Sequence, residues 1–187
     1  IYDFLSLVDK ALATPVNIDV SPDDTAILQY TGGTTGTPKG AILTHRNLVA
    51  NAMHNKVWLT NGKEGEERLL AVIPFFHVYG MTTAMNLGVL LGAELILLPK
   101  FHTKEVLEAI NKYRPTIFPG IQAMYLAIGN YPKIHKYDLT SIKAAISGAG
   151  PLMREVQERF EDLTKARIVE GYGLSEASPV THCNPVF

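Results

Sequence analysis

Short apolar runs with the composition of β-strands alternate along this chain with segments of helix length, and that alternation leaves few folds open. The strand-like runs are Ala26 to Tyr30, Leu69 to Ile73, Glu94 to Leu98, Thr116 to Phe118, Lys143 to Ser147 and Arg167 to Glu170. Between them the spacing predicts helices over His45 to Leu59, Tyr79 to Leu91, Lys104 to Tyr113, Ile121 to Asn130 and Met153 to Leu163. Gly92, Arg114 before Pro115, and Asn130 mark helix ends. The expected fold is α/β, a mostly parallel sheet flanked by helices. A 47% hydrophobic content over 187 residues suffices for a packed core. The polar, Gly-bearing stretch Thr60 to Glu67, TNGKEGEE, is the best internal boundary.

The segment Thr31 to Gly40, TGGTTGTPKG, has the make-up of a phosphate grip. Glycines let successive N–H groups turn toward one anion, threonine hydroxyls add donors, and the Lys39 ammonium supplies a full charge. A flexible polar turn is the plain alternative, but such turns rarely set so many glycines beside a lysine. The segment is not a P-loop, because Lys39 is followed by Gly40 rather than Ser or Thr and no helix starts there. Ala41 to Leu43 is β-compatible, and Thr44 is placed to cap the next helix, so the grip is expected to join two strands.

With 17 basic against 18 acidic residues and no basic run, nucleic acid is excluded as the main partner. The lone Cys183 cannot form an internal disulfide and suits a reducing cytoplasm. The chain begins at Ile1 without a signal pattern and is expected to be an excised fragment. Leu69 to Ala93 holds no charged side chain and has the length of a membrane span. Pro74, His77, Thr82, Thr83 and Asn86 inside it favour a buried strand, a turn and a buried helix instead.

Three more blocks carry chemistry. Pro74 to Gly80, PFFHVYG, sets Phe75, Phe76 and Tyr79 around His77 just past a predicted strand, where ligands bind in open α/β sheets. On residue type alone, a histidine among apolar neighbours is more often a core or helix-cap residue than a catalytic one. Glu170 to Pro179, EGYGLSEASP, puts Tyr172 between two glycines, so that its ring and the Glu176 carboxylate can face one site. Taken alone, it is equally a strand, a turn and a helix capped by Ser and Glu. Ser147 to Leu152, SGAGPL, is a small-residue loop and by itself a weak signal.

Together, these blocks resemble the adenylate-forming superfamily of acyl-CoA synthetases, luciferases and peptide-synthetase adenylation domains. The resemblance implies part of the large N-terminal domain of such an enzyme. Residues 1–60 would end one α/β subdomain carrying the phosphate loop, and residues 61–187 would form most of a second. It implies that Thr31, Gly32, Gly33, Thr34, Thr35, Gly36 and Lys39 hold the ATP phosphates. Gly148, Ala149, Gly150, Tyr172, Gly173 and Ser175 would surround the nucleotide, with Tyr172 stacked on adenine and Ser175 near the α-phosphate. Phe76, His77 and Tyr79 would line the acyl pocket, and Thr31 and Glu176 would hold Mg²⁺. Lys39, His77 and Glu176 are the implied catalytic set.

Peptide-synthetase domains usually show proline where Leu174 stands, and acetyl-CoA synthetases paired tryptophans near Tyr172; this chain has neither. Long-chain fatty acid CoA ligases fit best, with aryl-CoA ligases, luciferases and a non-catalytic nucleotide-binding module as alternatives. Where Gly32 stands the family more often has serine or threonine, which removes one hydroxyl contact. The resemblance implies fatty acid, ATP and coenzyme A as substrates and a cytoplasmic enzyme. It is compatible with a homodimer and with peripheral contact at the inner membrane surface. It also implies that an aspartate for the ribose, a hinge and a lysine on a smaller C-terminal domain lie downstream, so that the fragment alone would not adenylate at a useful rate.

Overall fold

The computed structural model describes residues 3–15, 17–31 and 38–186. Helix α1 (Phe4–Lys10) opens the chain, its N-terminus capped by Asp3, whose carboxylate accepts from the Ser6 N–H at 2.8 Å. Strands β1 (Thr25–Thr31) and β2 (Lys39–Thr44) pair antiparallel, Leu28 opposite Ile42 and Thr31 opposite Lys39. Alternation sorts their faces. Leu43 and Ile27 turn inward onto Val78 and Met81, and Leu28, Tyr30 and Ile42 stay exposed.

Helix α2 (His45–Trp58) begins where the sequence places it, directly after Thr44. A reciprocal capping box fixes that start. The Thr44 hydroxyl accepts from the Asn47 N–H at 3.2 Å, and the Asn47 side chain accepts from the Thr44 N–H at 2.9 Å.

The second sheet comprises β3 (Arg68–Ala71), β4 (Glu94–Leu97), β5 (Ile117–Gly120), β6 (Ala144–Ser147), β7 (Arg167–Gly173) and β8 (Val180–Cys183). Its six strands run in the order β4-β3-β5-β6-β7-β8, all neighbours parallel except β7 and β8. The expected α/β architecture is therefore the observed one. Successive residues of each strand feed opposite layers. Leu70, Phe118, Ala145 and Ile168 pack with α5 (Thr103–Tyr113), α6 (Gln122–Gly129) and α7 (Arg154–Thr164) through Val106, Leu107, Ile110, Tyr125, Ile128 and Phe160. Leu69, Ile117, Ala144 and Val169 pack on the other side against Leu59, Leu87 and Leu91. Burial on both faces explains why these strands read as continuous apolar runs.

Where one helix is expected over Tyr79 to Leu91, the structure has α3 (Val78–Gly80), a π-helical segment Met81–Asn86 and α4 (Leu87–Leu91), ending at Gly92 in the left-handed region with φ 59°. The Thr83 hydroxyl donates back to the Tyr79 carbonyl at 2.7 Å, a side-chain bond that competes with the regular ladder. Among the described residues no helix is long and apolar enough to cross a membrane.

At the sheet's entrance, Glu67 is buried and takes hydrogen bonds from the Thr116 hydroxyl and the Lys63 N–H, with the Lys143 ammonium at 3.4 Å. Burial pushes its carboxyl up, but these partners outweigh it and hold Glu67 below the usual carboxylate value.

The chain runs from β3 outward to β4, then returns to place β5 on the other side of β3. That reversal is a switch point in the strand order, and ligands of open α/β sheets bind at the carboxyl ends of the strands near such a point.

Candidate functional site

The chain leaves β3 and turns at Pro74 to Phe76 into α3, whose N-cap is His77. The His77 Nδ1 accepts from the Tyr79 N–H at 3.2 Å. A neutral imidazole held this way keeps its proton on Nε2, so the ring offers a donor on its other side. Sequence alone set helix cap against functional residue, and the geometry gives His77 the cap while leaving the ring exposed on a cavity wall.

Tyr79 is buried, and its hydroxyl reaches the carbonyls of Ile146 at 2.8 Å and Gly120 at 3.1 Å, bridging the ends of β6 and β5. Gly148, just past β6, donates its N–H to the Gly120 carbonyl at 3.1 Å. A Cβ on Gly148 would lie 2.9 Å from the Tyr79 ring, so glycine here permits the close approach. The next residue, Ala149, takes a left-handed φ of 61° and turns the loop outward.

These residues wall a cavity of about 200 Å³ that also takes in Tyr172, Ser175 and Pro179. A second, more open cavity of about 650 Å³ adjoins it, lined by Gly150, Glu170 and His182. Ala149, Gly171, Tyr172, Gly173 and Cys183 line both, so they form the partition. Tyr172 is 66% exposed, with its ring centroid 6.1 Å from that of His182. A flat exposed ring at such a boundary can stack on a planar base.

Beyond β7 the chain makes the short 3₁₀ turn Ser175–Ala177 and enters β8 through the cis Ser178–Pro179 bond. A Cβ on Gly173 would meet the Pro179 carbonyl oxygen at 2.2 Å, so this turn closes only around glycine. Glu176 is exposed on the turn, which lies against both β1 and β2. The fold thus brings the Glu176 turn beside the hairpin that bears Thr31 and Lys39. The Thr31 hydroxyl donates to the Lys39 carbonyl at 3.4 Å, and the Lys39 side chain is exposed.

Gly32, Gly33, Thr34, Thr35 and Gly36 lie outside the described residues. Phe76 is 82% exposed and does not line either cavity; its carbonyl accepts from the Gln29 side chain at 3.4 Å and so ties the hairpin to the His77 loop.

The AMP-binding enzyme family matches residues 4–186. This chain belongs to that family. A long-chain-fatty-acid–CoA ligase of Bacillus subtilis is 53% identical over 161 residues, covering 86% of this chain and 29% of that protein. A 4-coumarate–CoA ligase of Arabidopsis thaliana is 35% identical over 171 residues, 88% of this chain and 30% of that one. The crystal structure of ATP-bound MatB from Rhodopseudomonas palustris superposes with a TM-score of 0.83 at 27% identity, over 97% of this chain and 35% of the other. The chain therefore spans about a third of the length of these relatives.

Several residues of this candidate site escaped the sequence reading. Asn55, Thr83 and Cys183 line the smaller cavity, and Asn51 holds the Glu176 turn. Asn47, Asn51 and Asn55 recur every four residues, a polar stripe on one helix face. That stripe was a signal, hidden by the expectation that an inward helix face is apolar.

Proposed function

We propose that the full-length protein is an ATP-dependent long-chain fatty acid–CoA ligase, and that residues 1–60 and 61–187 belong to two α/β subdomains of its large domain. The observation that carries this reading is the pair of adjoining cavities with Tyr172 and Ala149 between them, one beside the His77 ring and the other open beside an exposed aromatic face. The higher identity to the fatty-acid ligase than to the coumarate ligase supports the long-chain assignment.

A fatty acid is ionised at neutral pH and nucleophilic without a general base. Its carboxylate oxygen attacks the α-phosphorus of ATP, the bond to the β-phosphate oxygen breaks, and pyrophosphate leaves. The coenzyme A thiol then attacks the acyl-adenylate carbonyl, losing its proton and releasing AMP, to give the thioester. The obstacle is charge. Lys39 and the phosphate-loop N–H groups neutralise the phosphate chain, and the His77 Nε2–H orients the acid.

No cluster of three metal-ligating side chains occurs among the described residues. One exposed carboxylate, Glu176, on a turn packed against the hairpin that bears Thr31, fits Mg²⁺ that completes its shell with phosphate oxygens and water. Bound there, Mg²⁺ would neutralise charge on the nucleotide. The same reading puts the protein in the cytoplasm, meeting fatty acid at the inner membrane surface, with downstream residues required for turnover.

The test is acid-dependent exchange of labelled pyrophosphate into ATP by the full-length protein, with acids from acetate to palmitate. Exchange with long acids alone supports the proposal. Exchange only with aromatic acids moves it to an aryl-CoA ligase, and no exchange with any acid favours a non-catalytic nucleotide-binding module.

A further inference from the structure

Glu176 sits on a short turn that has backbone hydrogen bonds of its own and is also tied to the rest of the fold by side chains from outside it. Asn51, in the middle of α2 and 6% exposed, donates through Nδ2 to the carbonyls of Ala177 at 3.2 Å and Val180 at 2.8 Å. Its Oδ1 accepts from the Val180 N–H at 3.2 Å. One amide therefore holds both ends of the segment that follows Glu176. The Asn55 side chain donates to the Asn51 carbonyl at 2.7 Å and to its Oδ1 at 3.2 Å, which agrees with the same orientation of the Asn51 amide. The buried Thr82 hydroxyl adds a bond to the Ser178 carbonyl at 2.8 Å.

Helix α2 is also continuous with the phosphate hairpin, because Thr44 is both the last residue of β2 and the helix N-cap. One rigid helix thus links the strand that begins at Lys39 to the turn that carries Glu176. Such a link sets the distance between two groups that must act on one polyphosphate, and sub-ångström placement of such groups governs rate.

We infer that Asn51 is a positioning residue for the nucleotide–magnesium site, holding the Glu176 carboxylate in register with the Lys39 strand. The inference rests on the adenylation reading given above. Asn51 touches neither substrate nor metal in this role; it acts through the Glu176 turn.

A double-mutant cycle between Asn51→Leu and Glu176→Gln in the full-length protein tests it. MgATP and metal-free ATP binding are measured by calorimetry, and pyrophosphate exchange is followed against Mg²⁺ concentration. In the Glu176 background, Asn51→Leu is expected to weaken MgATP binding and raise the half-saturating Mg²⁺ by about tenfold, leaving metal-free ATP binding unchanged. In the Glu176→Gln background it should change either by less than about twofold, because no carboxylate remains to be positioned. Equal effects in both backgrounds would overturn the inference and leave Asn51 a residue of the fold alone. Should Asn51→Leu fail to fold, Thr82→Val, which removes the donor to Ser178, is carried through the same cycle with the same two outcomes. Absence of exchange in the wild type would overturn the adenylation reading itself, whereas normal exchange with an additive cycle overturns only the role of Asn51.

Discussion

The hydroxyls of Tyr79 and Tyr125 converge on one acceptor, the carbonyl oxygen of Ile146, at 2.8 and 2.9 Å. Each also lies within reach of a second carbonyl, Gly120 for Tyr79 and Phe118 for Tyr125. Burial pushes both phenols well above the ordinary tyrosine value, so both remain protonated donors. Two rings from different helices thereby clamp the ends of β5 and β6, the rim on which the Gly148 loop is built.

Removing either hydroxyl deletes its bonds but leaves the Ile146 carbonyl with the other phenol as donor. Tyr79→Phe and Tyr125→Phe are each expected to lose about 0.5–1.5 kcal/mol in equilibrium urea unfolding. Because the Ile146 carbonyl is shared, each single variant leaves it one phenol donor and only the double mutant strips both, so the double mutant should lose measurably more than the sum. Strict additivity would show that the two hydroxyls act on separate acceptors.

Gly148→Ala would push a methyl carbon to within 2.9 Å of the Tyr79 ring, which is buried and tethered at its far end. The ring cannot swing away freely, so the smaller cavity must deform. The expected outcome in the full-length protein is a rise of about tenfold in KM for fatty acid, consistent with a misplacement of a few tenths of an ångström, with KM for ATP changed much less. An unchanged fatty-acid KM would remove the acyl group from this cavity.

How much of this was legible beforehand follows from which residues carry a local signal. Thr44 announced the start of α2 because a capping residue and a capping box are properties of neighbouring positions. Strand β8, Val180–Cys183, gave no such signal. Its four residues VTHC hold little apolar pattern, and it pairs with β7 only because that strand runs on to Gly173, three residues beyond the expected end at Glu170. The π-helical segment was likewise hidden, since a threonine's back-bond to Tyr79 is a choice the helix period does not encode. At the site, the motif residues His77, Gly148, Tyr172 and Ser175 were named from sequence and meet at one cavity. Asn51 was not named, because its partners are more than 120 residues away in the chain.

Acid should loosen one corner of the fold in a defined window. Asp138 accepts from the Thr140 hydroxyl at 2.6 Å and N–H at 2.9 Å and from Arg114 at 2.6 Å, at the end of α5. These contacts, Thr140 first, hold its carboxyl down at about 2, from an ordinary 3.8. A lowered folded-state pKa stabilises the fold above the ordinary value, and that contribution is lost as pH falls toward about 2. Asp138→Asn should therefore lower Tm at pH 7, with its curve and the wild-type curve converging between pH 3.8 and about 2. Parallel curves across that window would show that Asp138 adds no pH-dependent stability.

His77 combines two roles that a pair of substitutions can separate. Its Nδ1 caps α3 by accepting the Tyr79 N–H, while the ring faces the smaller cavity. His77→Ala removes both, and is expected to lose about 1 kcal/mol of stability, as for other lost N-caps, together with adenylation. Asparagine caps helix N-termini at least as well as any residue, through a side-chain oxygen that can take the same N–H. His77→Asn should then keep the wild-type unfolding midpoint but still lose about a hundredfold in kcat/KM for fatty acid, as expected for a misplaced positioning donor. Pyrophosphate exchange and urea unfolding on the same two variants decide it. If asparagine restores both stability and exchange, the imidazole is dispensable and the cap is the whole of its contribution. If it restores stability alone, the Nε2–H is what the bound acid requires.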